Sequence, residues 1–582
     1  MNNKNLFTFI TRRSSVYGVD GMVASTDPLA TQVGIDILKQ GGNAADAAVA
    51  VAAAVSVVAP GSTGIGGDAF CLFYNAKTRK VTGLNGSGRT PAKLTLEYLQ
   101  EKTGVEGISI SGTSVHSVTV PGAVAAWIDT VDYFGSGKLS MSTILQPAIE
   151  LAEHGYWKAK EEQLKEVNNH RNNMLIGGVR APEEGEMMYL PDLAKTLKTI
   201  ATDGKNGFYK GPIADSIVDA IQSRGGLMTH EDLASHTSEI VEPISIDYHG
   251  YTLWEIPPNG QGITALIALG IIRALEDEHG VDFSKIKHNS AEYLHIIIES
   301  LRLAFADTRY HVTDPQILPT IPVEKLLSKE YLSQRAKLVD LNKRNNTIQK
   351  GYPEQGSNTA CLSVVDREGN ACSFIGSLFE GFGTSIIPNN CGFPLHNRGS
   401  FFTTIKDHPN CVGPNKRPYH TILPTILTRR TNSGDHEFEA SFGIAGSYMQ
   451  PQGHVQIVMN LVNYLTDPQH TLDLPRISIC PPSNYEQANI SIHPRAQAFI
   501  DINPSIVHLE DGIEPRVIEQ LKKMGHICYF AKGQDRLIFG RSQIIRAVHK
   551  SGGRIGKHVM AAGCDPRGDG QACPAVMTNS KL

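Results

Sequence analysis

No stretch of this 582-residue chain stays apolar for the length a bilayer crossing needs. The longest run, Ala48 to Pro60, is rich in alanine and valine but falls short of the roughly 20 residues of a membrane span, so it reads as a buried helix. Between Met1 and Arg13 the apolar patch is too short for a secretory core and is broken by polar and basic residues, so neither a signal peptide nor an anchor is expected. Surplus positive charge is missing too. With 54 Lys and Arg against 58 Asp and Glu, the formal net charge is -4, which supplies no field for nucleic acid and no polybasic segment for a membrane surface. The nine cysteines are odd in number and contain no Cys-x-x-Cys, which fits free thiols in a reduced compartment better than a disulfide framework. No His, Cys and carboxylate residues fall at metal-ligand spacing, so neither a metal nor another cofactor is expected. Internal repeats and low-complexity tracts are absent, and 41% hydrophobic with 19% charged residues describes a globular chain with material for a large core.

What is present can be placed on elements. Ser25 to Ala30 gives a cap and a helix start that runs to Gly41-Gly42, and Asn43-Ala-Ala-Asp46 opens the alanine-rich helix. The glycine-rich loop Gly64 to Gly67 then leads into a strand, Ala69 to Tyr74. That order is helix, loop, strand, whereas a phosphate cradle needs strand, loop, helix, so a nucleotide site is rejected. In the loop after the next strand, Gly83, Gly86 and Gly88 allow a tight course and Arg89 is the only charged group, which makes it a candidate carboxylate clamp. Helical patterns follow over Leu145–Tyr156, Ile213–Ser223 and Tyr293–Arg309, with a polar linker from Lys343 to Gly356.

Behind that linker lies the most informative stretch. Thr359 to Val365 is small, β-branched or apolar, as in a strand buried on both faces; Asp366 to Asn370 makes a turn, and Ala371 to Leu378 runs back. The result is a predicted hairpin headed by a threonine. Further on, Phe442 to Gln452 reads as a glycine-containing turn before a helix, His454–Leu465. Backbone N–H groups at Gly446 and Ser447 are candidates to face a developing oxyanion.

Taken together, several segments resemble the γ-glutamyltransferase family of N-terminal-nucleophile hydrolases. They are Gly41 to Ala48, Val120-Pro-Gly122, Arg302 to Asp307, Asn358-Thr359 with Ser363 to Asp366, Gly413 to Pro418, Pro424-Thr425 and Asp565-Pro-Arg567. The resemblance implies an α+β fold, a four-layer αββα sandwich. It also implies a precursor that cuts itself between Asn358 and Thr359, giving a large subunit, 1–358, and a small subunit, 359–582, intertwined in one catalytic domain. Thr359 would then be both nucleophile and, through its freed α-amino group, base, which removes any need for a Ser-His-Asp arrangement. Ser377 matches the family's second hydroxyl, and Gly446 with Ser447 matches its Gly-Gly oxyanion pair with only the first glycine kept.

The substrate positions depart from the pattern. Where transpeptidases hold the γ-glutamyl α-amino group with an asparagine and an aspartate, this chain has Phe379 and Phe401. The paired serines become His420 and Thr421, the carboxylate-binding arginine aligns with Ser87, two residues before Arg89, and Arg398 replaces a neutral amide. The pattern is more similar to the oxamate amidohydrolase-like branch. A pocket that gains a cation and loses an anion suits a small acidic amide without a free α-amino group, its carboxylate on Arg89 and Arg398. The expected activity is therefore hydrolysis of an oxamate-like or N-acyl acidic amide through an acyl-enzyme. The alternatives are a γ-glutamyl hydrolase or transferase acting on glutathione and related compounds, or a non-catalytic relative used for binding or assembly. The final Ser580-Lys581-Leu582 spells a peroxisomal address for an import receptor; otherwise a cytoplasmic location is expected.

Overall fold

The computed structural model describes residues 11, 13–103, 109–157, 174–319, 321–348, 358–480, 502–548 and 559–577. The terminal Ser580-Lys581-Leu582 and the end of the polar linker lie outside them.

Two seven-stranded sheets organise the chain. One runs in the order Gln571–Pro574, Met22–Ser25, Asn358–Val365, Ala371–Phe379, Asp68–Asn75, Lys80–Asn85, Glu239–Val241, every neighbour antiparallel. The other has Val16–Gly18, Met560–Cys564, Arg541–Ala547, His436–Ala445, Thr425–Arg430, Tyr251–Glu255 and Ile244–Tyr248, again antiparallel throughout. The predicted hairpin thus sits in the middle of the first sheet, flanked on both sides by strands from the N-terminal part of the chain.

Strand alternation creates three apolar layers. On Asp68–Asn75, Phe70, Leu72 and Tyr74 face the other sheet, while Cys71 and Phe73 face the helices; on Asn358–Val365, Cys361 and Val365 face inward and Ala360, Leu362 and Val364 outward. Outside the first sheet lie helices Pro28–Lys39, Ala44–Val58, Ala123–Phe134 and Met141–His154; outside the second lie Ile263–His279, Ala291–His311 and Met449–Val462. The architecture is the expected αββα sandwich. Among the described residues, no helix is long and apolar enough to cross a membrane.

Ala44–Val58 is buried on every side, which explains its alanine: small side chains let a helix pack closely against neighbours all round. Its first turn is a capping box, with Asn43 accepting from Ala45 N and Asp46 N while Asp46 accepts from Asn43 N. Asp366, in the hairpin turn, accepts from Ala44 N at 3.0 Å, so two motifs far apart in sequence meet at one helix start. The loop Gly64–Gly67 is glycine-rich for packing: a Cβ on Gly66 would stand 2.1 Å from the Pro394 carbonyl oxygen, and one on Gly67 2.4 Å from that of Ser377. One boundary differs from expectation. The helix expected from His454 starts at Met449, because Pro451 lies in the first turn, where proline is tolerated.

Candidate active site

Thr359 is the second residue of its strand and pairs with Ser377 in register, whereas Asn358 pairs with Phe379, so a bulge falls between Asn358 and Thr359. Thr359 is buried, and its Oγ1 donates to Ser377 Oγ at 3.3 Å. Ser377 Oγ also accepts from Phe379 N at 2.8 Å. By the alternation seen at Cys361, the Thr359 side chain faces the space between the sheets.

The oxyanion candidates are at the same end of that space. Ser441 Oγ donates to Ser363 Oγ at 3.1 Å, and Gly443 lies so close to Cys361 that a Cβ there would be 3.2 Å from the cysteine's. Moving two residues further along both strands brings Thr359 opposite Ala445, with Gly446 and Ser447 immediately beyond. Both have left-handed backbone, φ 132° at Gly446 and 50° at Ser447. They precede a helix whose earliest bonds run from Met449 N and Gln450 N back to the carbonyls of Gly446 and Ser447, so the N–H groups of this turn precede the helical ladder. A non-glycine residue in that conformation stores of the order of 1–2 kcal/mol, the kind of strain that a site maintains.

Phe379 has φ 76°, an uncommon value for a bulky residue. Its ring lies 4.3 Å from that of Phe401, and the Arg398 guanidinium sits over both, at 4.9 and 5.4 Å. Arg398 is fully buried. Its Nη1 donates to Thr421 Oγ1 at 2.7 Å, while Nε and Nη2, the two groups of one flat edge, have no hydrogen-bond partner. Gln261 braces this region by donating Nε2 to the carbonyls of Thr421, 3.2 Å, and Ser447, 3.0 Å.

A buried carboxylate that sequence reading missed joins these parts. Asp68 Oδ1 accepts from Gly88 N at 3.0 Å and Gly122 N at 3.2 Å; Oδ2 meets His420 Nε2 at 3.0 Å and His396 Nδ1 at 3.6 Å. Burial pushes its carboxyl up, but His396, His420 and Arg398 outweigh burial and hold it well below the usual range. His420 goes the other way, down to about 3, through burial and the neighbouring Arg398, and burial also lowers His396. Arg398 itself is lowered by burial to about 9, against the opposing pull of Asp68 and Glu380.

Arg89 is not gathered into this set. Its guanidinium meets Asp314 at 2.5 Å, Gln316 at 2.6 Å, the Asn415 carbonyl at 3.1 Å and Glu239 at 3.3 Å. Two carboxylates remote in sequence already answer its charge, which corrects the expectation of a free clamp. The motif cations Arg302, Lys416, Arg417 and Arg567 are likewise held by Glu299, loop carbonyls, Glu239 and the pair Asp565 and Glu510.

Two clusters arise that spacing did not reveal. Thr425, His454 and Glu255 are buried together; Nδ1 of the imidazole is 2.7 Å from the carboxylate and 2.9 Å from the hydroxyl, with Nε2 3.4 Å from the same hydroxyl, so the shorter contacts of both partners fall on one ring nitrogen rather than on opposite ones. His295, Glu299 and His526 bring ligand-type atoms within 4.8 Å of one another. The imidazoles bond to each other at 2.7 Å, and Glu299 is engaged by Arg302, 2.6 Å, and Asn345 N, 2.8 Å. That is a hydrogen-bonded group next to a cation, a poor setting for a metal ion.

The family model described as gamma-glutamyltranspeptidase matches residues 30–575. The glutathione hydrolase-like YwrD proenzyme of Bacillus subtilis (strain 168) is 33% identical over 96% of this chain and 99% of its own length. The oxamate amidohydrolase proenzyme of Klebsiella pneumoniae is 28% identical over 96% of this chain and 99% of its own. A crystal structure of cephalosporin acylase from Bacillus halodurans superposes with a TM-score of 0.82 at 36% identity, covering 99% of both chains. On this similarity along its whole length, the chain belongs to the gamma-glutamyltranspeptidase family and is an enzyme of its N-terminal-nucleophile hydrolase fold.

Proposed function

We propose that this enzyme is a self-processing N-terminal-threonine amidohydrolase that cleaves a small amide carrying a carboxylate and no free α-amino group. In the precursor, Thr359 Oγ1 attacks the Asn358 carbonyl, the acyl group moves from nitrogen to oxygen, and water hydrolyses the ester. The products are a large subunit, 1–358, and a small one, 359–582, whose new α-amino group has a reference pKa of about 7.7–8.0 and accepts the hydroxyl proton near neutrality.

In turnover that amine takes the proton from Oγ1 as the oxygen attacks the substrate carbonyl. Ser377 holds Oγ1 in place, and the turn Gly446–Tyr448 offers N–H groups to the oxyanion. Collapse protonates and releases the amine part of the substrate; water then resolves the acyl-enzyme by the same route in reverse roles.

The observation that carries the substrate class is the free edge of Arg398. A buried guanidinium edge with two unanswered N–H groups matches a carboxylate in bidentate geometry. Thr421 orients it, His420 is fixed by Asp68, and the rings of Phe379 and Phe401 fill the positions where an ammonium would need an anion. Oxamate-like amides and N-acyl acidic amides fit this pocket, and Arg89 leaves the substrate set. The kinship with the oxamate amidohydrolase of Klebsiella pneumoniae supports the same reading.

Turnover of oxamate and related acidic amides should be compared with that of a γ-glutamyl anilide on the mature protein. Preference for the acidic amides is expected; faster γ-glutamyl turnover would overturn the substrate class and favour the glutathione-type alternative.

A further inference from the structure

We propose that Gln261 is a positioning residue that sets the span between the carboxylate site and the oxyanion turn, and so selects how far the carboxylate of the substrate stands from its scissile carbonyl. The inference rests on reading Arg398 as the carboxylate site.

Gln261 lies between the strand Tyr251–Glu255 and the helix Ile263–His279. Its backbone is fixed to the wall that carries Thr421: Gln261 N donates to the His420 carbonyl at 2.9 Å, and His420 N donates to that of Asn259 at 2.8 Å. From this base the buried side chain reaches across to the oxyanion turn. Its one amide nitrogen donates to the carbonyls of both Thr421 and Ser447, and Oε1 accepts from the Tyr419 hydroxyl at 3.0 Å. Both N–H groups and the oxygen are engaged, so the amide has a single orientation.

Two carbonyls held by one nitrogen can stand no further apart than its two bonds allow, and each is the handle of a different half of the site. A trans peptide is planar with its N–H opposite its C=O, so pinning the Ser447 carbonyl aims Tyr448 N–H the other way. Thr421, whose carbonyl is the other acceptor, holds the Arg398 guanidinium through Oγ1. The substrate bridges these halves, with its carboxylate on Arg398 and its scissile carbonyl at the turn. A misplacement of about 1 Å between them can cost about 100-fold in rate, so the tether decides which substrate length is productive.

Gln450 joins the same segments at a second point, accepting from Leu423 N at 2.7 Å, but from the helix rather than from the peptides of the turn. Loss of the Gln261 amide therefore loosens the turn and leaves the segments attached. The tether also crosses the proposed cut, since Gln261 belongs to 1–358 and both carbonyls to 359–582.

The test is ammonia release by the mature protein from oxamate, malonamate and succinamate, which lengthen by one methylene at each step. Wild type should favour one of them over its neighbours by about tenfold or more in kcat/KM. In Gln261→Met, which fills the same space without donors, the preference should shrink to about threefold or less. The loss should fall on kcat for the favoured amide, while its KM and the Kd of oxalate stay within about threefold of wild type. A merely structural role lowers all three amides by one factor; that outcome, or equal turnover of the three by wild type, overturns the proposal alone. Should Gln261→Met not fold, Gln261→Asn is read in the same way, because its amide is one methylene too short to span both carbonyls. Failure of the carboxylate reading looks different: wild type turns over none of the three amides and does not bind oxalate, and both readings then fall.

Discussion

Arg398 is tied to Thr421 by a single hydrogen bond, Nη1 to Oγ1 at 2.7 Å, and that bond fixes which edge of the guanidinium remains available. A flexible arginine would adapt to many anions. One seated over two adjoining phenyl rings and bonded to a threonine presents a single fork in a single plane.

Replacing Arg398 by methionine should raise KM for a carboxylate-bearing amide by about 100-fold, the scale of losing one partner of a buried charge-assisted pair. Turnover of an amide lacking the carboxylate should change much less. Steady-state kinetics on the two substrates check this, and equal losses on both would remove Arg398 from carboxylate recognition.

Thr359→Ala should leave a single uncut chain on a denaturing gel and lower turnover by on the order of 10⁴-fold or more. In the wild type the smaller fragment should begin at Thr359 by N-terminal sequencing. A different first residue would transfer the nucleophile's role elsewhere.

At Ser447 the backbone, more than the hydroxyl, is expected to matter. Ser447→Gly suits φ 50° and should retain activity, whereas the β-branched side chain of Ser447→Val should lower kcat by about tenfold or more by forcing the turn to move. Similar kcat values for the two variants would argue against an oxyanion role for this turn.

Acid stability follows from two imidazoles, the buried His420 and the half-buried His236. His420 and His236 are each lowered to about 3, and burial is the leading cause at both. A depressed pKa means the unfolded chain binds the proton first, so this stability is fully present above the unfolded value of about 6.5 and is lost as pH falls toward 3. Each imidazole contributes a slope approaching about 1.4 kcal/mol per pH unit in that window. Urea midpoints should therefore fall steadily from pH 6.5 to pH 4.5, and His420→Asn should flatten the decline. A midpoint independent of pH across that range would contradict the assignment of these imidazoles as neutral.

The hairpin and the capped alanine helix were readable in the sequence because each depends on residues close along the chain, whereas Ser377 beside Thr359 was expected from the family resemblance. Strand alternation and a turn of five residues suffice to bring 359 opposite 377. Asp68 was not readable, since its partners at positions 88, 122, 396 and 420 converge only through the packed loops. Arg89 misled for the same reason: its loop advertises an available cation, and Asp314 and Glu239 answer it from more than 140 residues away. The expected start of the helix at His454 was late because Pro451 looks like an interruption when it is in fact part of the first turn.

The hairpin's place between Met22–Ser25 and Asp68–Asn75 has a consequence for assembly. If the chain is cut ahead of Thr359 as proposed, both sheets are shared by two polypeptides, and neither sheet is complete in one of them alone. Separating the fragments would uncover raw strand edges on both, the kind of surface that recruits further strands. Fragments produced apart should therefore precipitate, and a soluble enzyme is to be expected only from a precursor that folds before it is cut.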